Sequence, residues 1–247
     1  MGIHYSTNNI NRPYFSWDAQ NPKTYVDGTT VRNLLGKSTL PVTNVTVTDP
    51  PSSKTGKTYT FNNPNNTSTA SDYIKLTPKD ADEFRMDKSR GCSAFVTFKN
   101  TALMLEGTAS HYRQCPFSYG QDSSLGQWCF ERFYLNSSFI FRYKFDQNGT
   151  YGSTLNFGTV DLDTVNQLGF TQSSTTLAIY LNGVQVNSID ITASTLTSPT
   201  QKNVGIGAEN GVVYGFIGEI YNATFWQTAL SEEEVSDHYN NTYTRYV

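Results

Sequence analysis

The chain has 247 residues and a mass of 27.6 kDa, enough for one large β-sandwich or two small domains. Its 32 Thr, 23 Ser and 22 Asn, with 16 Tyr and 15 Phe, make a β composition that argues against an all-α fold, because branched and aromatic side chains suit a pleated sheet while Asn, Ser and Gly supply its turns. The net charge of -3, with no cluster of Lys and Arg, excludes an ordinary nucleic-acid surface, and the short apolar runs exclude a transmembrane helix.

In chain order, residues 49–69 are turn-rich and are expected to loop around one strand, Thr58 to Phe61. Strands follow near Ala94 to Phe98 and Leu103 to Glu106. Phe139, Phe141, Tyr143 and Phe145 fall on every second position, so one face of that strand is predicted to be core and the other, with Arg142 and Lys144, wet. In LAIYLNGVQVNSI the pair Asn182-Gly183 lies between two strand-like runs. Both residues tolerate positive φ, which predicts a type I′ hairpin joining Leu177–Leu181 to Val184–Ile189. Further strands are expected at Val204 to Ala208 and Gly215 to Phe225. Ser231 and Glu234 have the spacing of a capping box, with Leu230 and Val235 as its hydrophobic staple. A helix from Glu232 to Asn240 should therefore pack at the sandwich edge, with Val235 and Tyr239 on one face. The pattern predicts an all-β fold: an antiparallel two-sheet jelly-roll sandwich with one short C-terminal helix, as a single domain over 1–247.

Cys92, Cys115 and Cys129 are odd in number and widely spaced, matching neither a disulfide framework nor a zinc site, and are read as thiols. The opening MGIHYSTNNINRPYF lacks a basic start, an apolar run and a cleavage site, so synthesis and folding in a cytosol are expected. The seven N-x-S/T sequons are no more than this composition produces by chance.

Glycoside hydrolysis requires two carboxylates about 5 Å apart. Glu83, Asp87, Glu106, Glu131, Glu209 and Glu219 are isolated in the sequence, while Glu232–Glu234 are explained by helix capping, so no catalytic residue is expected. His4, His111 and His238 lack suitably spaced partners, and His238 is read as a helix residue favoured by the C-terminal dipole. The segment 107–132 places Tyr112, Tyr119 and Trp128 among Gly, Ser and Gln. Such aromatics suit contacts with a glycan or a protein partner, while the plainer reading, which is preferred, is an insertion that packs its own rings onto the sheet.

The C-terminal run GFIGEIYNATFWQTALSEEEVSDHYNNTYTRYV resembles the end of the concanavalin A-like lectin/glucanase superfamily in its laminin G-like form. The resemblance is carried by Gly218, Glu219, Ile220, Phe225, Ala229, Leu230, Ser231, Glu234, Val235, Tyr239 and Asn240. LAIYLNGVQVNS is similar to a hairpin of that family. YFSWDAQNPKTYVDGTTVRNLLGK is similar to the opening segment of tailed-phage virion proteins that carry the domain, and Thr244-Arg245-Tyr246 to their close. Residues 85–135 match poorly. The resemblance implies a jelly roll with an N-terminal arm at about 1–13 and an aromatic-rich insertion at about 107–132. It also implies a non-enzymatic structural or adhesive virion protein, as a head decoration, collar or tail component. Expected partners are other virion proteins, further copies of the chain and a host surface glycan, with no nucleic acid and no membrane insertion. The alternatives are a free-standing carbohydrate-binding module and a glycan-degrading enzyme. Laminin G-like relatives often bind calcium, which would direct attention to Asp18, Asp27, Asp72, Asp161 and Asp163. No loop has the dense D-x-D/N-x-D/N-G spacing, so these are read as solvated turn carboxylates and no cofactor is expected.

Overall fold

A computed structural model describes residues 13–19, 21, 23, 30–34, 39–43, 45–48, 58–63, 70–78, 83–102, 113–120, 127–135, 138–147, 150–196, 203–209 and 213–246. The strands of the first sheet are β1 (Phe15–Asp18), β4 (Thr46–Thr48), β5 (Thr58–Asn62), β7 (Cys92–Asn100), β12 (Val165–Gln172), β13 (Thr176–Leu181), β14 (Val184–Asp190) and β16 (Ile217–Trp226). They run in the order β14-β13-β12-β7-β16-β5-β4, with β1 beside β5 on the same side of β16. The second sheet has the order β11-β10-β9-β8-β15-β6-β3-β2. Its members are β2 (Thr30–Arg32), β3 (Thr39–Thr43), β6 (Tyr73–Leu76), β8 (Gln114–Tyr119), β9 (Trp128–Leu135), β10 (Ser138–Gln147), β11 (Thr150–Gly158) and β15 (Val204–Ile206). All the pairings are antiparallel. This is the jelly-roll sandwich that the strand pattern predicts.

Alternation builds the core. On β7, Cys92, Ala94, Val96 and Phe98 join one cluster with Phe117 of β8, Trp128 and Phe130 of β9, Phe141, Tyr143 and Phe145 of β10, and Phe170 of β12. Phe95 points the other way and belongs to a second cluster with Trp226, Ala178, Tyr180, Leu230 and Val235. The first sheet is thus buried on both faces, which is why β7 reads as an almost continuous run of buried residues.

The predicted strands appear near their expected bounds, except that Leu103–Glu106 lies outside the described residues, as does the arm through residue 12. The segment taken for an insertion instead supplies β8 and β9, two central strands of the second sheet. Its Gly, Ser and Gln residues obscured the alternation of Phe117, Tyr119, Trp128 and Phe130. The face expected to be wet is also largely covered: Lys144 is only 5% exposed.

Asn182 and Gly183 both have positive φ, 51° and 79°, as a type I′ hairpin requires. A Cβ on Gly183 would lie 2.8–2.9 Å from the Tyr239 side chain, so the hairpin tip is seated against the helix α1 (Glu232–Tyr243). Ser231 caps the helix with both bonds of the capping box formed. Ser231→Ala should cost about 1 kcal/mol. Gly183→Val should cost more, since a β-branched residue resists positive φ and this one would also push into Tyr239. The ranking of the two thermal midpoints checks both.

α1 lies on the outer face of the first sheet rather than at its edge, burying Val235, His238 and Thr242. His238 is packed against Phe95 and Trp226, with ring centroids 5.0 and 4.9 Å away, and its Nε2 is 3.4 Å from Thr224 Oγ1. Burial pulls its pKa from 6.5 down to about 3. It is therefore a neutral core residue and not a cation answering the helix dipole. The unfolded chain takes up this proton below about pH 6.5 and the fold does so only near pH 3. Stability should consequently fall as pH drops through this window, by about 2 kcal/mol at pH 5. Thermal midpoints at pH 7 and pH 5 should differ less in His238→Gln than in the parent.

The first described strand meets the last described residues. β1 pairs with β16, and the buried carboxylate of Asp18 accepts from Arg245 Nη1 at 2.6 Å and from the Tyr246 hydroxyl at 3.2 Å.

Candidate functional site

Trp128 and Phe130 enter the core, so on β9 the intervening Cys129 and the following Glu131 and Phe133 face away from the first sheet. Arg142 and Lys144 of β10 share that outer face, between the core residues Phe141, Tyr143 and Phe145. On β8 a break in register between Gln114 and Phe117 separates Cys115 from the regular alternation. The chain after β15 then turns at Gly207, whose φ is +80°. Glu209 bridges to Val213, and Cys115 N donates to Tyr214 O at 2.9 Å. These irregularities bring Glu209 to Glu131 and Cys129, with one ligand atom from each lying within 4.8 Å of the others.

Glu131 is compensated locally. Arg142 Nε donates to Glu131 Oε1, and Arg113 Nε lies 3.8 Å from Glu131 Oε2. Both guanidiniums lie near the Phe133 ring, Arg142 at 3.9 Å and Arg113 at 5.6 Å from its centroid, and Arg113 is 4.9 Å from that of Tyr214. Two arginines and two aromatics thus sit beside a pair of buried carboxylates. The thiols of Cys115 and Cys129 interact with one another, and burial chiefly raises the pKa of each, with Glu131 and Glu209 adding to the effect. Both thiols are protonated at neutral pH, which makes them inert as nucleophiles.

Glu131 and Glu209 were missed as a pair in the sequence because no short spacing joins them; a bulge and a hairpin do. Their separation approaches that of the two carboxyls of a retaining glycosidase. Both residues have no exposed surface, however, and Glu131 is paired with the Arg142 guanidinium, so neither carboxyl is within reach of a polymer outside. As a metal centre the same three residues would bind through a deprotonated Cys129, its proton being displaced by the cation's own charge.

The aromatic candidates are placed differently from expectation. Tyr119 and Trp128 are fully buried, at 0% exposure, and Trp128 packs against Phe117, Tyr119, Phe130, Phe170 and Phe225. The exposed stacking role expected of these two is therefore corrected: alternation turns them inward. Tyr112 lies outside the described residues, as do His4, His111 and Asp27. Among the candidate calcium ligands, Asp18 is the buried acceptor for Arg245 and Tyr246. Asp72 is also buried, and accepts from Asn62 N and Ser71 Oγ. Neither is a solvated turn carboxylate. Asp161 and Asp163 are exposed in the turn before β12.

At one end of the sandwich, the loop preceding β7 and the loop following β14 border an open cavity of about 300 Å³, lined by Arg85, Met86, Asp87, Lys88, Ser194, Thr195 and Leu196. Lys88 Nζ donates to the carbonyls of Ile191, Thr192 and Ser194 at 2.9, 2.6 and 3.1 Å, tying one wall to the other. Asp87 accepts from Ser89 N, Ser89 Oγ and Arg85 Nη2 at 2.9, 2.7 and 3.2 Å. These bonds, the Ser89 hydroxyl first among them, hold its pKa below the usual carboxylate value.

Residues 104–236 match a laminin G-like family model described as the concanavalin A-like lectin/glucanases superfamily. No curated protein matches in sequence. Among solved structures, the chain is similar to the binding domain of botulinum neurotoxin serotype G, with TM-score 0.64 and 12% identity over 92% of this chain and 50% of that one. It is also similar to domain 4 of AbnA, a GH43 extracellular arabinanase from Geobacillus stearothermophilus, in complex with arabinotriose, with TM-score 0.59 and 15% identity over 92% and 97% of the two chains. A third likeness is to the binding domain of botulinum neurotoxin DC in complex with SialylT, with TM-score 0.63 and 11% identity over 94% and 52%. The chain spans about half the length of the neurotoxin binding domains.

Proposed function

The chain belongs to the concanavalin A-like lectin/glucanase superfamily, and from that premise we propose that it is a non-enzymatic, glycan-recognising structural protein of a tailed-phage virion. The observation that carries the glycan half is the match, over nearly the whole of both chains, to an arabinanase domain bound to arabinotriose. The chemistry agrees with binding rather than turnover, since the Glu131 and Glu209 pair is buried and Glu131 is already matched by two arginines. The virion half rests on the phage-like segments at either end. In this reading the sandwich docks on other virion proteins or on further copies of itself, with a host surface glycan as the outward partner. A stable anchoring interface of this kind buries upwards of about 1,000 Å².

Mass spectrometry of purified particles should find the chain as a component, and the isolated protein should bind members of a glycan array. Incubation with laminarin, agar, alginate or host envelope polysaccharide should release no reducing ends. Absence from particles would overturn the virion reading and leave a free-standing binding module. The proximity of Glu131 and Glu209 supports one competing reading, a glycan-degrading enzyme. Turnover abolished by Glu131→Gln or Glu209→Gln, in variants that retain the parent fold, would establish it.

A further inference from the structure

We propose that the cavity between the loop preceding β7 and the loop following β14 binds a carboxylated sugar, such as the acidic end of an anionic glycan. This rests on the glycan-recognition reading and assigns it a place and a substrate class. The volume of about 300 Å³ lies at the lower end of the range for ligand sites and suits one or two sugar rings. The lining carries Arg85 and Lys88 against the single carboxylate of Asp87, one net positive charge within the lining, while Asp190 just outside it acts on Lys88 and leaves Arg85 as the cation aimed at a ligand. Ser194 and Thr195 add hydroxyls that both donate and accept, and Leu196 adds an apolar patch for ring C–H groups. A neutral sugar would be served by the hydroxyls, the carboxylate and the apolar patch alone. The excess cation selects for an acid.

The site is also formed in advance. Lys88 uses its ammonium to fasten three carbonyls of the facing loop, and Asp87 is fixed by Ser89, so little ordering cost remains for the ligand to bear. Arg85 is joined to Asp87 across the lining and supplies the planar group best suited to a carboxylate.

Isothermal titration of the full chain with trisaccharides ending in N-acetylneuraminic acid or glucuronic acid, and with arabinotriose as the neutral probe, tests the assignment. At least one acidic probe should bind more tightly than arabinotriose, and added salt should weaken it. Arg85→Met should weaken the acidic probe about tenfold or more. Asp87→Asn should strengthen it a few-fold by removing a like charge, an effect of opposite sign that damage to the fold would not produce. Thermal melting accompanies each variant; should Arg85→Met fail to fold, the salt dependence and Asp87→Asn carry the test. Acidic binding unchanged in the folded variants would overturn this cavity as the site. Preference for neutral glycans, indifferent to Arg85, would overturn the acid assignment while sparing the broader reading. No binding to any member of a glycan array would overturn both.

Discussion

Replacing Trp128 by alanine should destabilise the protein by about 3–5 kcal/mol and lower its thermal midpoint by roughly 10 °C, given the size of the chain. The indole lies where the two sheets meet, stacked on Phe225 of β16 with centroids 6.1 Å apart and edge-on to Phe117 at 5.0 Å and Phe170 at 5.3 Å. Its Nε1 donates to the carbonyl of Phe84 at 3.0 Å, so alanine leaves both a cavity and a buried carbonyl without that donor. Rings surrounding the site are themselves packed on one another, which limits how far the void can collapse. Trp128→Phe should recover part of the loss, since it restores much of the volume but not the hydrogen bond. If Trp128 were instead an exposed contact residue, the alanine variant would melt within a degree or two of the parent.

Gly218→Ala should be of comparable severity, at about 3 kcal/mol or more, although it adds only a methyl group. Gly218 has φ +141°, a conformation costly to a residue with a side chain. It also pairs with Asn100 at the end of the β16–β7 ladder. A Cβ built there lies 2.2 Å from the backbone oxygen of Lys99 and 3.0 Å from Asn100 Cα and Thr101 N. A backbone obstacle of this kind cannot rotate aside as a side chain can. The two central strands of the first sheet must therefore part locally. Urea unfolding should show a lowered midpoint with an unchanged slope if the defect stays in the native state.

The correction at Tyr119 and Trp128 and the missed pairing of Glu131 with Glu209 have one physical origin. Aromatic rings among Gly, Ser and Gln are compatible with an exposed loop and with a strand whose polar residues happen to be covered. Composition cannot separate these, because it carries no information on what overlies the second face. The phase of the alternation was present in FRYKF, yet the burial of Lys144 and Glu131 depends on a surface completed by distant segments. His238 follows the same logic. Its place on the helix is local, whereas its neutrality comes from Phe95 and Trp226 on two strands far away in the chain.

Elements with short-range causes were legible along the chain: the Asn182-Gly183 turn from its tolerance of positive φ, the helix start from the reciprocal bonds of Ser231 and Glu234, and the sandwich class from period-two alternation and aromatic content. The family was likewise readable from the C-terminal run around Gly218, Glu219 and Leu230. The strand order, in which β7 lies between β12 and β16, emerges from the folded packing alone, and with it every grouping that the order creates. Examples are the carboxylate of Asp18 closed by Arg245 and Tyr246, the two glutamates joined by a bulge and a hairpin, and the cavity walls fastened by Lys88. Antiparallel pairing is nearly indifferent to the identity of the partner strand. The choice is made by the summed burial of the whole core, so no short stretch of residues records it.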